Sequence, residues 1–431
     1  MKLYAIIGCF LISYFGHQGV VASPKDTVNN LTKNEKVIIG NLKLSMSAQL
    51  WLRHTELNPG SQIDGLTESS ITDLSIRRFR MALHGNLTDR LYVKTQIGLN
   101  NMNYVTSNAQ LKLLDLLAVY RLSDRFYIGG GKNGYTGPSR YASVASSAML
   151  GVDIPIFALS TINITDDLLR KLSVFAKGDI GQLGYRLVLA KPDRPHLPLP
   201  LDSTPKFANG DPKLQYSGYF KYQFLEKEGM TSAYMPGTYH GTKKVLNVGF
   251  GFLVQDKATW NMINNDTTYY RMNQWAIDVF ADLPLNTRNS QSVTLYAAYF
   301  NTDFGPEYIR MIGTNNSGIQ TNNTTINGAG NKYPAIGTGQ VYYLQLGYRV
   351  AFSGRLEKLG AIQPYFNMQH ANYDALTDPM RLFESGVNLL FNGHRSKLTF
   401  GYQNRPIYSL GEGNAVSERK NMYVIQYQFK L

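Results

Sequence analysis

Apolar and polar residues alternate one by one at the C-terminal end of the chain. Tyr423, Ile425, Tyr427, Phe429 and Leu431 share one face, and mostly polar residues occupy the positions between them. A period of two is typical of a β-strand with one apolar and one hydrated face. A strand this aromatic aggregates at a free sheet edge, whereas in a closed membrane barrel it pairs with the first strand and faces lipid. A soluble β-sandwich could also bury it, so the pattern favours a barrel without excluding a sandwich.

The same alternation recurs along the chain and predicts an all-β fold. About 16 segments carry it, and we expect a transmembrane antiparallel β-barrel closed by pairing 421–431 with 43–53. The predicted strands are 43–53, 72–85, 90–100, 110–121, 125–133, 171–177, 182–192, 214–225, 244–255, 271–282, 291–302, 340–352, 361–372, 381–391, 396–405 and 421–431.

The lengths of the connections strengthen this prediction. Long gaps such as 134–170 and 303–339 follow odd-numbered strands, and short gaps such as 86–89 and 122–124 follow even-numbered ones. Outer-membrane barrels have short periplasmic turns and long external loops, and nothing about a sandwich requires this rhythm. The gap 226–243 is an exception, because it is long and follows an even-numbered strand.

The N-terminus has the layout of a secretory signal peptide. Lys2 precedes a mostly apolar run over 3–15, and small residues lie before Ser23. We therefore expect a signal peptide at 1–22, a short periplasmic segment at 23–42 and a single barrel at 43–431. The alternative is a buried N-terminal strand. Cys9, the only cysteine, would leave with the signal, and a mature chain without cysteine has no disulfides.

Composition narrows the class of protein further. No run of 18 or more apolar residues occurs, which excludes a helical membrane protein. The net charge is +13, but the Lys and Arg residues are scattered and form no basic helix or nucleic-acid motif. We therefore expect no nucleic-acid partner, and a lumen that favours anions accounts better for the excess of positive charge.

Motifs for catalysis and cofactor binding have little support. Residues 129–134 fit a GxGxxG pattern, but an amphipathic helix does not follow, and Lys132 is followed by Asn133 rather than Ser or Thr. The histidines show no metal-binding spacing, and no Gly-x-Ser-x-Gly elbow occurs. We expect no catalytic residue, metal or cofactor. The open alternative is a serine site assembled from distant strands, as in outer-membrane lipases.

The strand pattern also indicates which charged residues face the lumen. If Phe79 and Met81 face lipid, Arg78 and Arg80 point inward. Rings of Lys or Arg select anions in pores. The candidates for the pore lining and constriction are Arg78, Arg80, Lys94, Lys132, Arg140, Asp153, Arg186, Arg349 and Arg405. Inward carboxylates are expected at Asp115, Asp278, Asp282 and Glu384. The alternative is a general porin whose inward charges pair across the lumen and stiffen the wall.

Several motifs together resemble those of a known family. These are IRRFR at 76–80, YIGGGK at 127–132, Asn133-Gly134, Ser139-Arg140 and DIPIF at 153–157. Over about 75–160 the chain resembles the porins of Bacteroidota, which are distantly related to the phosphate-selective porin O and P family. The resemblance implies a passive channel of about 16 strands whose third external loop folds into the lumen and carries Arg140 and Asp153.

The loop departs from the phosphate-selective pattern. Those porins line their constriction with many arginines and a lysine ladder, whereas loop 134–170 has two arginines against three aspartates. Mild anion preference is therefore the safer expectation. We also expect residues 154–157 to pack this loop against the inner wall, with Arg140 facing the narrowest aqueous path.

The functional hypothesis is an outer-membrane porin for passive diffusion of small hydrophilic, preferentially anionic solutes. The alternative is a barrel that is not an open pore, either a hydrophobic-substrate transporter or a structural or secretion-associated barrel. The expected partners are outer-membrane lipid and small anionic or polar solutes, and a homotrimer is a candidate assembly.

Overall fold

The computed structural model describes most of the chain. The described residues are 41–107, 110–159, 161, 169–192, 204–208, 213–229, 232–264, 266–286, 290–320, 325–410 and 414–431. The predicted signal peptide at 1–22 lies outside these residues, as does most of segment 23–42. No described helix is long and apolar enough to cross a membrane.

Sixteen long strands form one closed antiparallel barrel. They are β1 (Leu42–Glu56), β2 (Ser70–Asn86), β3 (Leu91–Met102), β4 (Lys112–Ser123), β5 (Phe126–Asn133), β6 (Lys171–Ile180), β7 (Leu183–Lys191), β8 (Gln215–Gln223), β9 (Val245–Ile263), β10 (Asp266–Asn286), β11 (Gln291–Asp303), β12 (Gly339–Ala351), β13 (Ala361–Tyr373), β14 (Met380–His394), β15 (Ser396–Tyr408) and β16 (Val416–Lys430). Each predicted strand corresponds to one of these.

The barrel closes where the alternation predicts. Strand β16 pairs with β1 in a register that runs from Ser47 opposite Lys430 to Thr55 opposite Met422. Closure gives every strand two partners, so no sheet edge is left to face lipid with unpaired backbone groups. The predicted fold class and closure are confirmed.

The two faces of the wall differ in chemistry as the period of two requires. On the inner face Gln363, Thr399, Gln426 and Gln428 are buried and hydrogen-bonded. On the outer face large apolar side chains are exposed, including Leu172, Val174, Phe250, Ile277, Phe400 and Ile425. An apolar outer face around a polar interior is the arrangement that a lipid environment favours.

The facing of β16 predicts unequal effects of two adjacent substitutions. Tyr427→Arg places a charge on the lipid side, which costs about 2–4 kcal/mol near the bilayer midplane and less near its surface. Gln426→Arg places the charge in the polar interior, so we expect a higher yield of heat-modifiable, protease-resistant barrel. Equal yields for the two variants would contradict this facing.

Three segments fill much of the barrel interior. The inner loop (134–170, between β5 and β6) contains the 3-10 helices Arg140–Ser143, Ser146–Ala148 and Ile156–Leu159. The cap (304–338, between β11 and β12) includes the paired short strands Ile309–Ile312 and Tyr333–Gly337. The inner loop and the cap both connect strands at the end of the barrel that bears the long connections.

The third segment comes from the opposite end, which bears the short turns. This is the insert (224–244, between β8 and β9), and it covers the gap that broke the predicted rhythm. Its backbone pairs with the inner loop, with an N–H···O distance of 2.8 Å from Met235 to Ser143 and from Ala145 to Met235. The insert is long because it enters the lumen rather than making a simple turn.

The inner loop is built against the wall, as its apolar residues predict. The Phe157 ring lies 5.0 Å from the ring of Phe300 on β11 and 5.2 Å from that of Tyr343 on β12, measured between centroids. Earlier in the loop, Leu150 and Val152 each lie close to a glycine of the wall. A Cβ at Gly347 would lie 2.7 Å from Leu150, and one at Gly401 would lie 2.2 Å from Val152. The predicted packing of 154–157 is confirmed.

Candidate ion pathway

A cavity of about 410 Å³ remains between the inner loop and the β1–β4 side of the wall. Its lining includes Ser45 and His84 towards the short-turn end and Asn101 and Thr314 towards the long-loop end. Six cationic side chains line it: Lys430 near the short-turn end and, further into the barrel, Arg77, Arg78, Arg80, Lys94 and Arg170. Two further cavities between the described residues are much smaller, at about 30 and 10 Å³.

Arg77 joins this group because the burial pattern of β2 changes phase. Ser75 and Arg77 face inward on the N-terminal side of the change, and Arg78 and Arg80 face inward on its C-terminal side. Opposite the change, Asn101 on β3 has a φ of +57° and accepts a hydrogen bond of 2.7 Å from Arg77. Strict alternation points Arg77 outward, so the sequence analysis missed it.

Asp153 of the inner loop binds both adjacent arginines. Arg77 donates to Asp153 Oδ2 from Nε at 3.0 Å and from Nη2 at 2.7 Å, and Arg78 donates to Oδ1. Burial alone would raise the pKa of Asp153, but the two guanidinium groups hold it below its usual value. Asp153 thus lies next to the cavity without belonging to its lining, and it ties the inner loop to β2.

A second carboxylate, Asp115 on the wall strand β4, binds Lys94 and Arg170. Asp115 Oδ2 accepts from Lys94 Nζ at 2.6 Å, and Oδ1 accepts from Arg170 Nε at 2.8 Å. Tyr234 of the insert donates to the same Oδ1 from a distance of 2.5 Å. The prediction for Lys94 fits the structure, whereas Arg170 was not among the predicted site residues.

Arg80 lies between these two groups, and its guanidinium donates hydrogen bonds to neutral oxygens. Its Nη1 donates to the carbonyls of Phe79 and Leu99 at 2.7 Å each, and its Nη2 donates to Asn100 Oδ1 at 2.5 Å. Among the described residues, the cations of the lining outnumber the two carboxylates that they contact, Asp115 and Asp153. An excess of fixed positive charge where little water screens it attracts anions.

Arg140 does not face the aqueous path as predicted. Its side chain is 1% exposed, and its Nη1 and Nη2 donate to the two carboxylate oxygens of Glu228 at 2.7 Å each. Its guanidinium lies 3.5 Å from the centroid of the Phe280 ring. Burial alone would lower the pKa of Arg140, but Glu228 raises it above its usual value. Arg140 therefore joins the inner loop to the insert.

Three other predicted lining residues lie outside the cavity. Arg186 is buried and donates to the Ser139 carbonyl of the inner loop at 3.0 Å. Arg349 lies at the short-turn end and donates to the Ser290 carbonyl at 2.6 Å. Arg405 is buried near the long-loop end, where its Nε donates to Asn58 Oδ1 at 3.3 Å. These arginines stabilise loops and turns.

Lys132 faces outward, contrary to its place among the lining candidates. Its register partners are Leu116 on β4 and Leu172 on β6, and both are exposed on the outer face. Directly paired residues of an antiparallel sheet point to the same side. The preceding glycines, 129–131, give no side-chain alternation from which the face could be deduced.

The remaining predicted inward carboxylates are covered by the internal segments. Asp278 accepts from the Arg140 N–H at 2.7 Å and from Tyr219 at 2.9 Å, and Glu384 accepts from the Val152 N–H at 3.0 Å. Asp282 accepts from the Tyr239 and Gly241 N–H groups at 2.8 Å each. These carboxylates anchor loops rather than pair with the cations of the pathway. In the described residues, no group of three or more His, Cys, Asp or Glu side chains could hold a metal ion.

Comparison with known proteins gives matches to solved structures alone. No protein-family model and no curated protein matches the sequence. OprB of Pseudomonas putida at high pH matches with a TM-score of 0.56 and 9% identity, covering 92% of this chain and 96% of that one.

Two further porins have similar scores. OmpF of Salmonella typhi, in complex with daunomycin, matches with a TM-score of 0.52 and 11% identity over 91% of this chain and 98% of that one. An anion-selective porin from Comamonas acidovorans matches with a TM-score of 0.51 and 10% identity over 90% of this chain and 99% of that one. At these identities the likeness shows the fold alone.

Proposed function

We propose that this barrel is an outer-membrane porin through which small hydrophilic solutes diffuse passively, with a preference for anions. The observation that carries the proposal is the cavity beside β1–β4, where, among the described residues, the lining cations outnumber the two carboxylates that they contact. Its lining reaches towards both ends of the barrel. The barrel fold shared with known porins supports the same function.

The preference proposed here is mild rather than specific for phosphate. Asp153 compensates part of the charge of Arg77 and Arg78, and Asp115 does the same for Lys94 and Arg170. Guanidinium groups that already bind a carboxylate have fewer free donors with which to strip water from a phosphate ion. The resemblance to Bacteroidota porins agrees with a general anion-preferring channel.

The proposal includes the setting of the channel. Residues 1–22 would direct export and be removed, and the apolar outer face of the barrel would contact outer-membrane lipid. A homotrimer is the assembly we propose.

Reversal potentials in planar bilayers test the proposed function. We expect the purified barrel to conduct and to favour chloride over potassium under a KCl gradient. Arg80→Gln removes a charge that binds no carboxylate among the described residues, so the chloride-over-potassium permeability ratio should fall. Two unit charges about 4 Å apart interact by roughly 1 kcal/mol in bulk water, so the permeability ratio should fall about fivefold or more at low salt and less at high salt.

Arg349→Gln is the matched control, because Arg349 lies outside the cavity at the short-turn end. Its permeability ratio should equal that of the native barrel. A native barrel that favours potassium would overturn the anion preference. A correctly folded barrel that conducts nothing would instead favour the alternative, a transporter for hydrophobic substrates or a structural or secretion-associated barrel.

A further inference from the structure

The insert is fixed inside the lumen by charged and polar contacts. Glu228 is 1% exposed and accepts hydrogen bonds from both Nη atoms of Arg140 and, at 2.7 Å, from the Tyr239 hydroxyl. Asp282 on the wall accepts from two backbone N–H groups of the insert. An irregular segment held at so many points is a fixed part of the pore wall, since its backbone cannot move without breaking buried hydrogen bonds.

From this anchored segment Tyr234 reaches the cationic side of the lumen. Its ring centroid lies 4.6 Å from Lys94 Nζ and 5.1 Å from the guanidinium carbon of Arg170. Its hydroxyl donates to Asp115 Oδ1 at 2.5 Å. Burial raises the pKa of Tyr234 well above its usual value, so the hydroxyl keeps its proton and remains a donor at neutral pH.

This position places an aromatic ring between a wall carboxylate and the cavity. Asp115 is 0% exposed, although Tyr234, Lys94 and Arg170, which contact it, all line the cavity. An uncovered carboxylate here would repel anions and attract cations. A covered one still orients Lys94 and Arg170 but presents little negative charge to a passing ion.

We propose that the insert forms a second constriction of the pathway, and that Tyr234 is a specificity-determining residue that covers Asp115 so that the pathway presents mainly positive charge. This inference rests on the proposed porin function and adds to it. The first constriction comes from the inner loop, which enters the lumen from the long-loop end. The second comes from the short-turn end and sets how strongly the channel distinguishes anions from cations.

Single-channel recordings of two variants at position 234 test the inference. Tyr234→Phe keeps the ring over Asp115, so conductance and permeability ratio should stay close to native. Tyr234→Ala removes the ring, so conductance should rise and the chloride-over-potassium ratio should fall by up to about fivefold, the effect of one unit charge at contact distance in water. Adding Asp115→Asn to Tyr234→Ala should restore the anion preference while conductance stays high.

A chemical test covers the case in which Tyr234→Ala does not assemble. In a Cys9→Ser background, Tyr234→Cys gives the barrel one thiol, and an anionic methanethiosulfonate reagent should label it and reduce the current. Lys358→Cys in the exposed turn Gly354–Leu359 is the control and should be labelled without loss of current.

The outcomes separate the two proposals. A native barrel without current or anion preference contradicts the porin function itself. A conducting, anion-preferring native barrel with an unchanged Tyr234→Ala variant overturns only the role of Tyr234. Labelling at 234 without loss of current, or failure of Asp115→Asn to restore the preference, also overturns it.

Discussion

A barrel in which residues 138–158 are replaced by a short Gly-Ser linker should conduct ions several times better than the native barrel. The inner loop crosses the lumen from the wall at Gly251, where it places the Pro138 carbonyl, to the wall at Gly401, where it places Val152. On the way it covers Asp278 and Glu384. Without it, water and ions would occupy that side of the barrel as well as the existing cavity.

The deletion also removes Arg140 and the backbone partners of Met235, so the conductance change reports the loss of the inner loop together with any release of the insert. The barrel ladder is continuous from β1 to β16 without the loop, so the shortened protein should still run as a heat-modifiable, protease-resistant band. Shortening the exposed turn Gly354–Leu359 is the matched control and should leave conductance unchanged. If the barrel lacking 138–158 conducts like the native one, the inner loop does not limit the pathway.

The wall of this barrel was predictable because its physical constraint is local. Lipid on one side and water on the other impose a period of two on each strand, and closure imposes it on all strands. The terminal strand and its closing partner follow from that constraint, whereas the packing of 154–157 was predicted from the apolar residues of the loop. The long gap at 226–243 stood out for the same reason, although its path into the lumen was not predicted.

The pathway was less predictable, because its charges depend on backbone irregularities and distant partners. One phase change, beside the positive φ of Asn101, turns Arg77 inward. Arg140 was correctly assigned to the inner loop, but its side chain binds Glu228, a residue 88 positions away in another segment. Tyr234 carries no motif, since its place is fixed by the anchoring of the insert. Local periodicity contains none of this information.

Glu228→Ala should loosen the insert more than any other single substitution in it. The carboxylate of Glu228 accepts from Arg140, from Tyr239 and, at 3.2 Å, from Lys221 Nζ. Removing it leaves Arg140 and Lys221 buried without their charge partner. Breaking such a buried pair typically costs about 3–5 kcal/mol. We expect the insert to leave its position while the barrel stays closed.

Proteolysis and current noise report that release. In native barrels the insert should resist protease added from the short-turn side, and the current should be steady. In the Glu228→Ala barrel we expect cleavage within 224–244 and flickering currents. Arg140→Gln combined with Glu228→Gln removes both charges and leaves no charge of this pair buried alone, so it should disturb the insert less than Glu228→Ala. A steady, uncleaved Glu228→Ala barrel would show that the backbone contacts alone hold the insert.

Acidification of the native barrel provides the complementary test. Burial alone would raise the pKa of Glu228, but Arg140 and Lys221 hold it well below its usual value. An unfolded Glu side chain has a pKa of about 4.3. Because the pKa of Glu228 is lower in the folded protein, its ionised carboxylate stabilises the folded state above that pH, and this contribution is lost as the pH falls through the folded-state pKa. The insert should therefore stay anchored from pH about 7 down to about 4. Flickering that begins within that range would mean that the Arg140–Glu228 pair does not fix the insert.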